Sequence, residues 1–226
     1  LVGSEMCIRD SHHTSPENFG NSEIIDTNAS STCELVFNLI KSNGDIDLID
    51  IPIAESIYIG LITDTGSFKY SSVSSSTHFI ASKLKEIGLN HVAIHNNIFD
   101  QNSVSKINLL GYALQKIKLD PNTSLAYLVL SKEELEKFNF QKGDSEGFVN
   151  YCLSIKGVKN AVFLREDKSL IKISLRSKGD VKTNEFSQKY YGGGGHQNAA
   201  GAAVESNDID IVTKTLIENF RSFCSV

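Results

Sequence analysis

The sequence predicts an α/β protein built from two successive α/β units. Three observations carry this. Apolar residues recur at helical spacing through most of the first half, buried-strand runs and period-two alternation begin after residue 124, and Asp120-Pro121-Asn122 breaks the pattern between them. A chain of 226 residues accommodates one large domain or two of about 100 residues, with a real core in either case.

Ile24-Ile25-Asp26 reads as a short strand, with a helix start after it at Asn28 to Ser31. Ser31 and Glu34 have the spacing of a capping box, in which each side chain satisfies the other residue's free backbone N–H. Leu35, Leu39 and Ile40 form an apolar stripe, ended by Ser42-Asn43-Gly44.

Ala54, Ile57, Tyr58 and Leu61 mark a second amphipathic helix, and continuing their face leads to Asp64 and Thr65 before Gly66. Two readings of Asp64 stay open here. Either it lies on the apolar side of the helix, which is costly without a partner or cation, or the helix stops first and Asp64 is a solvated cap. Ser76-Thr77 opens a helix with Phe79, Ile80, Leu84 and Ile87 as its apolar face, closed by Gly88. Residues 104–117 read as a helix with Ile107, Leu110, Leu114 and Ile117 on one face, and the domain boundary is placed at 120.

Beyond the boundary, 125–130 and 161–164 are buried-strand runs. From 170 to 175, Ile171, Ile173 and Leu175 alternate with Leu170, Lys172 and Ser174. Helices are predicted over 132–138, 145–156, 183–190 and 208–223, which suits helices packed on a sheet.

Composition limits the function. The balance of 40% hydrophobic and 22% charged residues is that of an ordinary globular protein. A net charge of −5 argues against binding nucleic acid through bulk basicity, so a phosphate must be met by a local site. No apolar run approaches the ~20 residues of a membrane span. Cys7, Cys33, Cys152 and Cys224 are scattered without a CxxC pair and read as reduced, mostly buried thiols of a cytoplasmic protein. Leu1 to Ser11 does not fit the rest of the chain and is read as a foreign leader outside the fold.

The densest chemical signal is Tyr190-Tyr191-Gly192-Gly193-Gly194-Gly195-His196, continuing to Ala199-Ala200-Gly201. Four consecutive glycines favour neither helix nor strand. They suit a loop whose successive N–H groups cradle an anion, with His196 as a further donor; the alternative is a flexible linker. Arg176, beside Ser177 at the end of an apolar strand, offers a planar fork for a phosphate, although such an arginine is more often simply solvated. Near the start, His12-His13 precedes a Pro16-containing loop; such pairs are more often surface residues or a tag remnant than metal ligands, and composition does not choose between them.

Together these segments resemble the DHH superfamily of phosphoesterases, in particular its RecJ-like, bifunctional oligoribonuclease and PAP phosphatase type. His12-His13 with Pro16 to Phe19 resembles the region of the family's Asp-His-His motif, and Ala29 to Glu34 its ASST-x-E segment. Gly60 to Phe68 is similar to its last metal motif, and Gly192 to Gly201 to the glycine signature of its DHH-associated domain. The resemblance implies the C-terminal part of a DHH domain over 12–119 and a smaller DHH-associated, substrate-binding domain over 120–226. It implies two Mn²⁺ ions with His12 and Asp64 among their ligands, and His13 as a catalytic, phosphate-facing residue. Arg176, Ser177, Gly192, Gly193, Gly194, Gly195 and His196 would then hold the substrate across the cleft between domains. The sequence departs from the motif where Ser11 replaces its aspartate, and the family's earlier metal-binding segments are missing, which implies a truncated, inactive piece.

The implied partner is short RNA or a phosphorylated nucleotide such as 3′-phosphoadenosine 5′-phosphate, without a membrane, and with a homodimer left open. A non-catalytic nucleotide-binding module is the first alternative. An editing module like that of alanyl-tRNA synthetases is the second, and the ASSTCE and LITDTGSF segments count against it.

Overall fold

The computed structural model describes residues 8–11 and 22–225, the side chains of 8–11 and Ser22 excepted. The chain forms two compact units, Leu1–Gln101 and Asn102–Val226.

In the first unit, β1 (Ile8–Ser11) pairs in parallel with β2 (Ser22–Ile25), so part of the segment expected to lie outside the fold contributes a strand. Four helices come next: α1 (Thr32–Ser42), α2 (Ile51–Asp64), α3 (Ser75–Glu86) and α4 (His91–Phe99). Asp50 caps α2 by accepting from the Ile53 N–H, and Pro52 occupies the first turn, where a missing N–H costs no helical bond. Ala54, Ile57, Tyr58 and Leu61 are buried as their spacing predicts, and the helix includes Asp64 as its last residue. Phe37, Ile62, Ile80 and Leu84 complete a core with no exposed surface at those four positions. Phe79 departs from its predicted face. It is exposed, and the ammonium groups of Lys41 and Lys83 lie 5.2 and 5.8 Å from its ring centre, so cations cover it instead of the core.

The second unit opens with α5 (Val104–Gln115). Its buried residues are Leu109 and Ala113, whereas the predicted face members Ile107 and Leu114 are exposed. Apolar side chains ring most of this helix, so periodicity alone cannot choose the face. The unit continues through β3 (Lys118–Asp120), β4 (Leu125–Leu130), α6 (Lys132–Lys137), α7 (Phe148–Ser154), β5 (Asn160–Asp167) and β6 (Leu170–Ser177). It ends with α8 (Thr183–Tyr191), β7 (Gly194–His196), β8 (Ala199–Glu205) and α9 (Ile209–Cys224).

The sheet order is β3-β4-β5-β6-β8-β7, with β4 and β5 parallel and the other neighbours antiparallel. Val162, Ile171, Ile173 and Leu175 on one face pack against Phe186 of α8 and Leu216 and Phe220 of α9. On the other face Ala126, Leu128, Ala161 and Phe163 pack against Leu109 and Ala113 of α5 and Phe148 of α7. Because α5 closes this second core, the compact unit begins at Asn102, ahead of the boundary placed near 120.

Candidate functional site

Two groups of candidate residues emerge, one in each unit. In the first, Ser31 caps α1, accepting from the Cys33 N–H at 3.1 Å, and donates its hydroxyl proton to Asp64 Oδ2 at 2.8 Å. Asp64 is exposed, and no other described residue is found bonded to its carboxylate. The capping box expected of Ser31 and Glu34 forms in altered register. Glu34 accepts from the N–H and hydroxyl of Ser30, at 3.0 and 2.6 Å, and from Thr77 Oγ1 at 3.3 Å. Its buried carboxylate thereby ties the loop before α1 to the first turn of α3. Beside this network α1 and α2 cross closely. A Cβ on Gly60 would lie 2.1 Å from Cys33 Sγ and 2.9 Å from its Cβ, so any larger residue there has to displace Cys33.

In the second unit, the apolar cluster on the α5–α7 face stops at β5. Beyond it, strand register places side chains of paired residues on a common face. Arg176, Ala199 and His196 form one cross-strand row; Ser174, Gly201 and Gly194 form the next. The second row raises almost no side chain above the sheet. The Arg176 guanidinium donates to the Leu175 carbonyl at 2.9 Å. Further along β6, the Lys172 ammonium lies 2.6 Å from Asp167 and holds that carboxyl below the usual carboxylate range.

The four glycines have different roles. Gly192 is the left-handed cap of α8, and the N–H groups of Gly192 and Gly193 already donate to the Gln188 and Ser187 carbonyls. A Cβ on Gly193 would lie 2.2 Å from the Gly201 carbonyl, and one on Gly195 2.4 Å from that of Ala199. Gly194 alone of the four combines an ordinary φ with no described residue near its missing Cβ. The expectation that the run avoids a strand is corrected: Gly194 and Gly195 belong to edge strand β7, where Gly195 lies against the Ala199-Ala200 backbone of β8 too closely for a Cβ.

Ser177 lies on the opposite face of β6 from Arg176. It is buried, donates to the Val181 carbonyl at 2.6 Å and accepts from Asn198 at 2.8 Å, so its hydroxyl holds the loop after β6. His12 and His13 lie outside the described residues. Sequence reasoning missed the donation from Ser31 to Asp64, which joins residues 33 apart, and the Ser174–Gly201–Gly194 row. The two-residue Gln197-Asn198 turn, which makes β7 and β8 a hairpin, is the sequence signal that could have revealed the row.

A hard carboxylate oxygen such as that of Asp64 suits a divalent cation as a single ligand. Among the described residues, however, no group of three or more His, Cys, Asp or Glu assembles a metal site. Among the described residues no helix is long and apolar enough to cross a membrane.

Residues 122–222 match the DHHA1 domain family. The chain is 29% identical over 198 residues to the bifunctional oligoribonuclease and PAP phosphatase NrnA of Bacillus subtilis, covering 87% of this chain and 62% of that protein. It is 30% identical over 222 residues to a probable NrnA of Streptococcus mutans, covering 96% of this chain and 70% of that protein. A crystal structure of an exopolyphosphatase-related protein from Bacteroides fragilis superposes with a TM-score of 0.90 at 39% identity, covering 97% of this chain and 65% of that one. The chain thus spans about two thirds of the length of these relatives. With a mixed α/β fold and relatives of this kind over nearly its whole length, it belongs to the DHH superfamily of phosphoesterases and carries a DHHA1 domain.

Proposed function

We propose that this chain serves the hydrolysis of phosphate esters in short oligoribonucleotides or 3′-phosphoadenosine 5′-phosphate, and that the β6–β8–β7 face binds the phosphorylated end. The observation that carries the reading is Gly194. Gly193 and Gly195 have no room for a Cβ and Gly192 has a left-handed backbone, whereas no described residue requires glycine at 194. A ligand that lies on the sheet does require it, and Gly194 shares its face with Arg176 and His196. Arg176 supplies the charge-assisted contact, His196 a second donor, and edge strand β7 its outward N–H groups. This narrows the anion-binding residues from the whole glycine run to Gly194, Gly195 and His196 beside Arg176, with Gly192, Gly193 and Ser177 shaping the support.

On this reading Asp64 is a ligand of the manganese centre, together with His12, and His13 faces the phosphate. Two Mn²⁺ ions would supply an activated water and neutralise phosphate oxygens. The protein's own part is to hold the phosphate and to fix the Asp64 carboxylate.

The test is a titration of the wild type, Arg176→Ala and Gly194→Val with a short oligoribonucleotide carrying a terminal phosphate. Arg176→Ala should weaken binding about tenfold, as for a charge-assisted hydrogen bond worth roughly 1.5–3 kcal/mol. Gly194→Val should weaken it at least as much while leaving the melting temperature near that of the wild type. Equal binding by all three rules the reading out.

A further inference from the structure

We infer that Ser31 is the positioning residue of Asp64: its hydroxyl holds one carboxylate oxygen so that the other is presented outward as a ligand. A serine hydroxyl has one proton and two lone pairs. Here a lone pair accepts the Cys33 N–H at the start of α1, and the proton goes to Asp64 Oδ2 at 2.8 Å. With its acceptor side engaged by the helix, the hydroxyl has its proton directed at the carboxylate.

Ser31 has no freedom to turn away. It is fully buried, and its neighbour Ser30 is held through both N–H and hydroxyl by Glu34, which is held in turn by Thr77 of α3. Two helices, α1 and α3, therefore fix the donor, while the acceptor stands exposed at the end of α2. An exposed aspartate at a helix end ordinarily samples several rotamers; this one is oriented by a buried group. Such partners of ligating carboxylates commonly matter for metal affinity by roughly 10- to 100-fold.

The inference rests on the proposed role of Asp64, and the experiment separates the two. The full chain is compared with Ser31→Gly, Ser31→Thr and Asp64→Asn. Glycine is tolerated at a helix N-cap at a cost of only a few tenths of a kcal/mol relative to serine, so Ser31→Gly removes the donor and largely spares the helix. Three quantities are read: the ¹³C carboxyl resonance of Asp64 at neutral pH without metal, Mn²⁺ affinity by electron paramagnetic resonance, and the melting temperature.

Ser31→Gly should shift the Asp64 resonance and weaken Mn²⁺ binding roughly tenfold or more, with little change in melting. Ser31→Thr, which keeps the hydroxyl, should restore both. An unmoved resonance in Ser31→Gly overturns the inference, as does Mn²⁺ affinity equal to that of the wild type. If Asp64→Asn binds Mn²⁺ as well as the wild type, the ligand role fails, while the resonance still decides whether Ser31 orients the carboxylate.

Discussion

Arg221 and Asp120, 101 residues apart, are joined by two parallel hydrogen bonds of 3.1 and 2.9 Å. The pair fastens the C-terminal part of α9 to the end of β3. Asp120 is buried and also accepts from Thr123 Oγ1, and the Arg221 guanidinium is the main cause holding its carboxyl below the usual aspartate range. A depressed carboxyl contributes stability that is fully present above the unfolded aspartate value and is lost as pH falls through the lower folded value. Arg221→Ala should therefore lower stability by about 1–3 kcal/mol at neutral pH and flatten the acid limb of the stability profile. Urea denaturation between pH 2 and 7 measures both; an unchanged acid limb would count against the pair.

The glycine run makes a stability prediction distinct from its binding one. Gly193→Ala and Gly195→Ala force a Cβ against backbone carbonyls and should each destabilise by about 2 kcal/mol or more. Gly194→Ala meets none of the described residues and should leave stability unchanged or raise it by up to about 1 kcal/mol. Thermal melts of the three variants distinguish them.

Cysteine chemistry is ordered by burial. Cys152 is fully buried and desolvation pushes its thiol up to about 11, whereas Cys224 is exposed, contrary to the expectation of mostly buried thiols. Iodoacetamide at pH 8 should modify Cys224 in the native protein and leave Cys152 untouched until denaturant is added, as mass spectrometry of the peptides would show.

Limited proteolysis should release a fragment that begins near residue 102. Leu109 and Ala113 of α5 have no exposed surface and belong to the core beneath β4 and β5. Leu109→Ala should cost about 2–5 kcal/mol. A stable product that starts near 120 would show that the sheet does not need α5.

Much of the fold was legible because local signals agreed with tertiary ones. The alternation of Ile171, Ile173 and Leu175 predicts their burial, and Gly88 ends α3 with positive φ as a C-cap glycine should. What failed was long-range. The buried side of α5 depends on which neighbour it meets, and Phe79 is turned outward by cations from two different helices. The site shows the same division. Asp64 and the glycines stand out in the sequence, but the donor to Asp64 lies on another helix, and only strand register brings Gly194, Gly201 and Ser174 into one row.

The close crossing at Gly60 has a consequence for the reach of Ser31. Gly60 lies one helical turn before Asp64 on α2, and the side chain it would touch, Cys33, belongs to the first turn of α1, just after Ser31. The two helices therefore behave like the blades of scissors with their pivot beside the tips. A single methyl group added at the pivot has to displace Cys33 and should part the tips, separating hydroxyl from carboxylate without altering either. The spacing between donor and acceptor is set by an atom the protein does not have, and Gly60→Ala should loosen the grip on Asp64 as surely as removing the hydroxyl itself.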